Sequence, residues 1–413
     1  MVPNGWERKP LCDVAEIRTG VAKGKSNLKD PIEVPYLRVA NVQDGHIDLT
    51  QVKTIQIERS QLERYSLKAG DVLMTEGGDF DKLGRGDVWR GQINPCLNQN
   101  HVFAVRVKTS KLIPYYLASL SGSHYGKSYF LSCAKKSTNL ASINSTQLKE
   151  FPVLIPPIEE QNKISQILST WDKAIAATEQ LLTNSLRQKK ALMQNLLTGK
   201  ERLPDFQEKW RKVALGEVFN RVTKKNTQHN TNVVTISGQH GLIRQEEFFK
   251  KTVASETLDG YFLLKNGQFA YNKSYSNGYP MGAIKRLNRY DYGVVTTLYI
   301  CFELKDNSPA DSDYFEHFFE SGILNRGLTQ IAHEGGRAHG LLNVKPADFF
   351  GLKIDLPPIK EQQKIASILN LADQEVRTLQ IKVDCLKREK KALMQQLLTG
   401  KRRVQIATDF EHG

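Results

Sequence analysis

The sequence predicts an α+β chain: two mixed α/β modules joined by two long helices that form an antiparallel coiled coil, built on a pseudo-twofold internal repeat. Three observations carry this. "KKALMQNLLTGK" at Lys189 to Lys200 returns as "KKALMQQLLTGK" at Lys390 to Lys401, with one residue changed, Asn195 against Gln396. The match runs back without a gap to "PPIEEQNKISQIL" and "PPIKEQQKIASIL", and self-similarity at a fixed spacing marks a repeated structural unit. Between the matched segments, residues 20–140 and 224–340 do not align with each other. The expected divisions are a first module at 1–150, a central helix at 151–200, a second module at 201–352, a C-terminal helix at 353–401 and a tail at 402–413.

In the first module, "VPYLRVANV" (Val34 to Val42), "GDVLMTEGG" (Gly70 to Gly78) and "HVFAVRV" (His101 to Val107) alternate and are β-branched, as strands are. "IPYYLASLSGS" (Ile113 to Ser123) reads as a short helix. The first long helix follows. Pro156 and Pro157 stand at its start, where a missing N–H costs nothing. No Gly or Pro interrupts Ile158 to Thr198, and Gly199 then supplies the left-handed cap. The apolar spacing of three and four places Ile164, Leu168, Trp171, Ile175, Leu182 and Leu186 on one seam.

The second module opens on "WRKVALGEV" (Trp210 to Val218), which resembles "WERKPLCDV" (Trp6 to Val14) in its Trp, Leu and Val placement. Strands are expected at "NVVTIS" (Asn232 to Ser237), "NGQFAYN" (Asn266 to Asn272) and "YGVVTTLYICFEL" (Tyr292 to Leu304), and a helix at "DYFEHFFES" (Asp313 to Ser321). The second long helix carries Ile365, Leu369, Ala372, Val376, Leu379 and Val383 on its seam and ends at Gly400. A short link of about ten residues joins the central helix to the second module, so an antiparallel pair needs no return path along the rod.

Of 413 residues, 40% are apolar and 25% charged, and the net charge is +14. A basic chain attracts phosphate backbones through counterion release. The five cysteines are scattered, with no CxxC pair, which fits reduced thiols better than a zinc site. No apolar run approaches the ~20 residues of a membrane span, and "MVPNGWERKP" lacks a signal-peptide pattern. The expectation is a cytoplasmic protein with no membrane partner.

Several loops combine cations, amides, hydroxyls and aromatics, the groups that grip phosphates and read base edges. They offer Lys23, Lys25, Lys135, Lys136, Thr138, Asn139, Asn272, Lys273, Tyr275, Asn277, Lys285, Arg286, Arg337 and His339 as candidate DNA-binding residues. Singly, each loop also reads as a polar surface turn; their concentration in a basic chain favours nucleic acid. Catalytic motifs fail on spacing. "GVAKGKS" (Gly20 to Ser26) is one residue short of a phosphate-wrapping loop. In "HEGGRAH" the histidines are six apart and straddle two glycines, unlike a helical zinc motif. No glycine-rich cofactor loop and no Asn-Pro-Pro-aromatic tetrapeptide is present. No catalytic residue and no metal ligand is assigned.

Taken together, "PPIEEQNKISQIL", "PPIKEQQKIASIL", the two "LLTGK" endings, "PYLRVANVQDGHIDL", "GDVLMTEGGDFDKLGRG", "NQNHVFAVRV" and "AHGLLNVKPADFFGLKIDLPPIKEQ" resemble the specificity (S) subunits of type I restriction-modification enzymes, over essentially the whole chain. The resemblance implies that each module is a target recognition domain reading one half of a split, asymmetric site in double-stranded DNA. It implies that the paired helices set the spacer and dock two methyltransferase (M) and two restriction (R) subunits. Adenosylmethionine, ATP and Mg would then be used by those partners, with no cofactor in this chain. Two other readings stay open: a DNA-modifying enzyme with an unrecognised active site, and a coiled-coil scaffold without a DNA role.

Overall fold

The computed structural model describes residues 2–23, 28–138, 140–238, 240–248, 257–332 and 342–406. The chain divides into two compact units, one drawn from residues 1–179 and 381–413, the other from residues 180–380. The division cuts both long helices, Ile158–Leu196 and Ile359–Leu397, 39 residues each. Each unit therefore holds the first part of one helix and the last part of the other.

Within each unit the two helical parts run antiparallel. In the first, Lys390 pairs with Asp172 and Lys387 with Glu179 at 2.7 Å, so partners fall as positions rise. In the second, Ser185 Oγ donates to Glu375 at 3.0 Å and Lys189 pairs with Asp373. The seam is not uniform. Ile164 and Leu168 belong to the first unit's main core beside Leu397 and Leu398; Ile365 and Leu369 belong to the second's beside Leu196 and Leu197. There a module adds a third layer over the helices. In the middle stretches Trp171, Ile175, Leu182, Ala372, Val376 and Leu379 are only half-buried, because a two-helix seam leaves its flanks wet. Val383, Thr178 and Ser185 are buried there, and Leu186, expected on the seam, is exposed.

The two modules share a framework that their sequences hide. In the first unit the antiparallel sheet runs in the order Ala15–Thr19, Val102–Val107, Val72–Thr75, Gly86–Val88. In the second it runs Phe219–Val222, Ile300–Leu304, Phe269–Asn272, Ala283–Arg286, the same chain order. Each module is closed by a strand pair next to the long helix, Glu7–Pro10 with Pro152–Ile155 and Arg211–Ala214 with Lys353–Leu356. Short helices, Pro114–Gly122 and Ser312–Glu320, pack behind each sheet. The strands that bury side chains are thus alike in the two modules, although residues 20–140 and 224–340 do not align in sequence. The expected single strand Tyr292 to Leu304 is two, Tyr292–Val295 and Ile300–Leu304, broken where Leu298 turns out to solvent.

The repeated Pro-Pro-Ile-x-Glu-Gln is a latch. In the first unit the buried Glu160 accepts from Trp6 Nε1 at 3.3 Å and from Arg403 Nε at 2.8 Å. Gln161 donates to Lys111 O and Pro156 O and accepts from Ile113 N–H. In the second, Glu361 accepts from Trp210 Nε1 at 3.1 Å and from Arg202 Nε at 2.7 Å, while Gln362 donates to Pro309 O and Pro357 O and accepts from Asp311 N–H. A buried carboxylate or amide is stable only when its lone pairs and protons are used, so the same two residues recur where the same backbone must be held.

Gly199 and Gly400 take φ of +68° and +66°, the left-handed ending that only glycine adopts without strain. Beyond them Glu201 N–H returns to Asn195 O at 3.3 Å and Arg402 N–H to Gln396 O at 3.1 Å. At the one position that differs between the repeated endings, the backbone carbonyl makes the same bond in both copies, and Asn195 Nδ2 also donates to Glu201 Oε2 at 3.1 Å.

Burial pushes the thiols of Cys96 and Cys301 up to about 12, whereas Cys12 is exposed. Thiolate is the reactive form. A thiol reagent at pH 8 should therefore label Cys12 in the folded chain and reach Cys96 and Cys301 only on unfolding. Peptide mapping by mass spectrometry reads this directly, and early labelling of Cys301 would contradict the packing of the sheet.

Candidate nucleic-acid interface

In each unit loop residues gather beside the end of the corresponding central strand. In the first, Val72–Thr75 leads into Gly77–Gly78, which is the outer strand of a small sheet with Ala141–Ser142 and Lys135–Lys136. The root of this element is held firmly. Thr75 Oγ donates to Lys82 O at 2.7 Å, Glu76 N–H to His101 O at 3.0 Å, and Ile143 N–H to Glu76 O at 2.9 Å. Asn144 and Gln147 cap the following helix reciprocally, as a capping box does. Lys135, Lys136 and Thr138 stand exposed at its outer edge.

In the second unit Phe269–Asn272 leads into a hairpin that returns at Ala283–Arg286. Leu342 N–H donates to Lys273 O at 2.9 Å, the counterpart of the Ile143 bond. Ser276 and Tyr279 close the turn by exchanging backbone bonds, and Gly278 between them takes φ of +83°, the position a type II turn reserves for glycine. The root is anchored through Tyr279, whose hydroxyl donates to Glu320 at 2.5 Å, lies 2.9 Å from Gly238 O and accepts from Lys285 Nζ at 2.9 Å. Burial and the nearby Arg221 lower the Lys273 ammonium from its usual range.

The predicted residues therefore sort into groups. Lys135, Lys136 and Thr138 come together in the first unit's loops; Asn272, Lys273, Tyr275 and Asn277 come together in the second unit's hairpin. Asn272 uses its side-chain carbonyl on Ser274 N–H, so its side chain shapes the hairpin. Lys285 and Arg286 lie on the return strand and are engaged within the fold: Lys285 with Glu320 and Tyr279, Arg286 with Asp313, Glu316 and Ser312. Lys23 sits apart, 5.9 Å from the Tyr36 ring. Lys25, Asn139, Arg337 and His339 lie outside the described residues. Sequence reasoning passed over Phe80 and Leu140, both exposed in the first unit's loops; an apolar residue in a polar turn was the available signal. It also passed over Glu160, Glu361, Arg202 and Arg403, although the repeated Glu-Gln after Pro-Pro-Ile was visible.

Among the described residues no group of three His, Cys, Asp or Glu side chains is placed to hold a metal ion. No helix among them is long and apolar enough to cross a membrane.

Comparison with known proteins gives a consistent result. The family described as type I restriction modification DNA specificity domain matches residues 3–187. A candidate type I restriction enzyme MjaX specificity subunit of Methanocaldococcus jannaschii is 25% identical, over 98% of this chain and 95% of that protein. The EcoKI specificity subunit of Escherichia coli is 24% identical over 45% of this chain and 39% of its own length. Among solved structures, the HsdS subunit from Thermoanaerobacter tengcongensis aligns over 97% of this chain and 98% of its own, with a TM-score of 0.51 and 16% identity. The S subunit from M. genitalium aligns over 96% and 97%, with a TM-score of 0.55 and 14% identity. At such identities the structural likeness speaks to the fold.

Proposed function

Because the chain belongs to the family of type I restriction-modification specificity subunits, we propose that each module reads one half of a bipartite, asymmetric site in double-stranded DNA. The paired helices fix the spacer between the halves and dock two M and two R subunits. Methyl transfer and cleavage, with adenosylmethionine, ATP and Mg, belong to those partners, and the assembly works in the cytoplasm. One observation carries this reading most directly. The sheet, the closing strands and the helix latch occur twice, while the loops at the ends of Val72–Thr75 and Phe269–Asn272 share no sequence. A constant frame with two different loop sets suits two readers of different sequence.

Inserting four residues, about one helical turn, beside Ser185 should change the tolerated spacer and leave both half-sites intact. Mapping methylated adenines in cells that carry this chain with its M partners reads the outcome; altered half-sites with a constant spacer would contradict it. The purified chain alone, given DNA, adenosylmethionine and Mg²⁺, should show neither methyl transfer nor cleavage.

A further inference from the structure

The first unit's loops and the second unit's hairpin each present a large apolar side chain to water from an anchored base. In the first unit Leu140 is 55% exposed. It stands in the turn joining Lys135–Lys136 to Ala141–Ser142, and its carbonyl accepts from Ser137 N–H at 2.8 Å and from Ser137 Oγ at 3.1 Å. The backbone of the turn is thus held while the side chain stays outside. In the second unit Tyr275 is 65% exposed and immediately precedes the turn closed by Ser276 and Tyr279, whose root is tied to Glu320 and Gly238.

A single exposed apolar side chain is ordinary on a soluble surface. These two differ from the ordinary case in their setting. Each lies beside the end of the corresponding sheet strand, as the matching bonds Ile143 N–H to Glu76 O and Leu342 N–H to Lys273 O show. The first has the exposed Lys135 and Lys136 as neighbours in its own hairpin. A fixed root with a protruding tip suits groove reading, because the contacting atoms must be placed to within about 0.5 Å by the structure behind them. Cations beside the tip match phosphates, and an apolar or aromatic group matches the thymine methyl or the face of a base step.

We propose that Leu140 and Tyr275 are specificity-determining residues that meet base pairs of double-stranded DNA, Leu140 in one half-site and Tyr275 in the other, with Lys135 and Lys136 holding phosphates beside the first. This rests on the reading of the modules as half-site readers. The test uses the complex of this chain with its M subunits and duplexes altered singly in each half-site, at several salt concentrations. L140A should lose about tenfold in discrimination at one position of one half-site, with the salt slope unchanged. Y275A should do the same in the other half-site only. The double variant K135A/K136A should weaken all sequences alike and lower the slope of log affinity against log salt by about 2.

Equal weakening of matched and altered duplexes by L140A and Y275A would overturn the assignment, as would unchanged discrimination or an effect on both half-sites at once. Both side chains are exposed, so their truncation leaves the cores intact, and methylation at unaltered sites reports assembly. Exchange of a whole module distinguishes the two levels. If that exchange changes one half-site while L140A and Y275A change none, only the residue assignment fails. If it changes neither, the reading of the modules fails with it.

Discussion

Replacing Arg202 with methionine should destabilise the second unit by about 3 kcal/mol, the lower end of the range for stripping one partner from a buried ion pair. Glu361 has no exposed side-chain surface, and Arg202 grips both its oxygens, at 2.7 and 2.9 Å. Without the guanidinium, the indole N–H of Trp210 would be its one remaining side-chain donor among the described residues. Arg202 is partly hydrated in the folded state, which is why the lower end of the range applies. The equivalent change at Arg403 should cost less, because that side chain is more exposed and water replaces more of what is lost. Two units unfold as two transitions unless coupled. Hydrogen exchange resolved along residues 180–380 is therefore the suitable measurement. Equal protection in R202M and the parent would show that the latch contributes no stability.

Phe302→Ala should destabilise the same unit by about 4 kcal/mol, through lost burial and the cavity left behind. The ring is fully buried on the central strand of the sheet, with Phe219 at 5.1 Å, Phe349 at 5.4 Å, and Phe269 and Phe319 at 5.5 Å between centroids. These side chains come from neighbouring strands and from the helices behind the sheet, so no single neighbour can move in to fill the space. Phe302→Leu keeps most of the volume and should cost roughly 1–2 kcal/mol. The functional consequence should be local. Phe269 begins the strand that carries the Tyr275 hairpin, so F302A should degrade reading of one half-site first. Denaturant unfolding and binding to half-site variants measure the two effects separately; loss of both half-sites together would count against independent cores.

The long helices were legible because their signals are local: a proline pair, about forty residues without a breaker, then glycine. Their pairing partners were legible only in part. Apolar spacing identified Ile164, Leu168, Ile365 and Leu369 but could not show that these join module cores. Nor could it find Thr178 and Ser185, since a hydroxyl can be buried on a seam by bonding within or across the helices, as Ser185 does to Glu375. The common sheet was invisible because pairing order is non-local. Phe302 and Val105 do the same packing work in sequences that share no run of residues. In the loops, composition pointed alike to Lys135 and Tyr275, which stand exposed, and to Lys285 and Arg286, which are engaged by Glu320 and Asp313. A cation's partners depend on which helix lies behind the strand, and that is fixed by tertiary structure.

Methylation mapping after exchange of one module tests the central claim most directly. Residues 211–352 of the second module would be replaced by the corresponding stretch of a relative with a different target, keeping Glu361, Gln362, Arg202 and Trp210 to hold the new module in the same latch. Methylated adenines would then be mapped in cells that also carry the M subunits. The account predicts a new sequence in one half-site, with the other half-site and the spacer unchanged. An unchanged site, or a change in both halves, would contradict it.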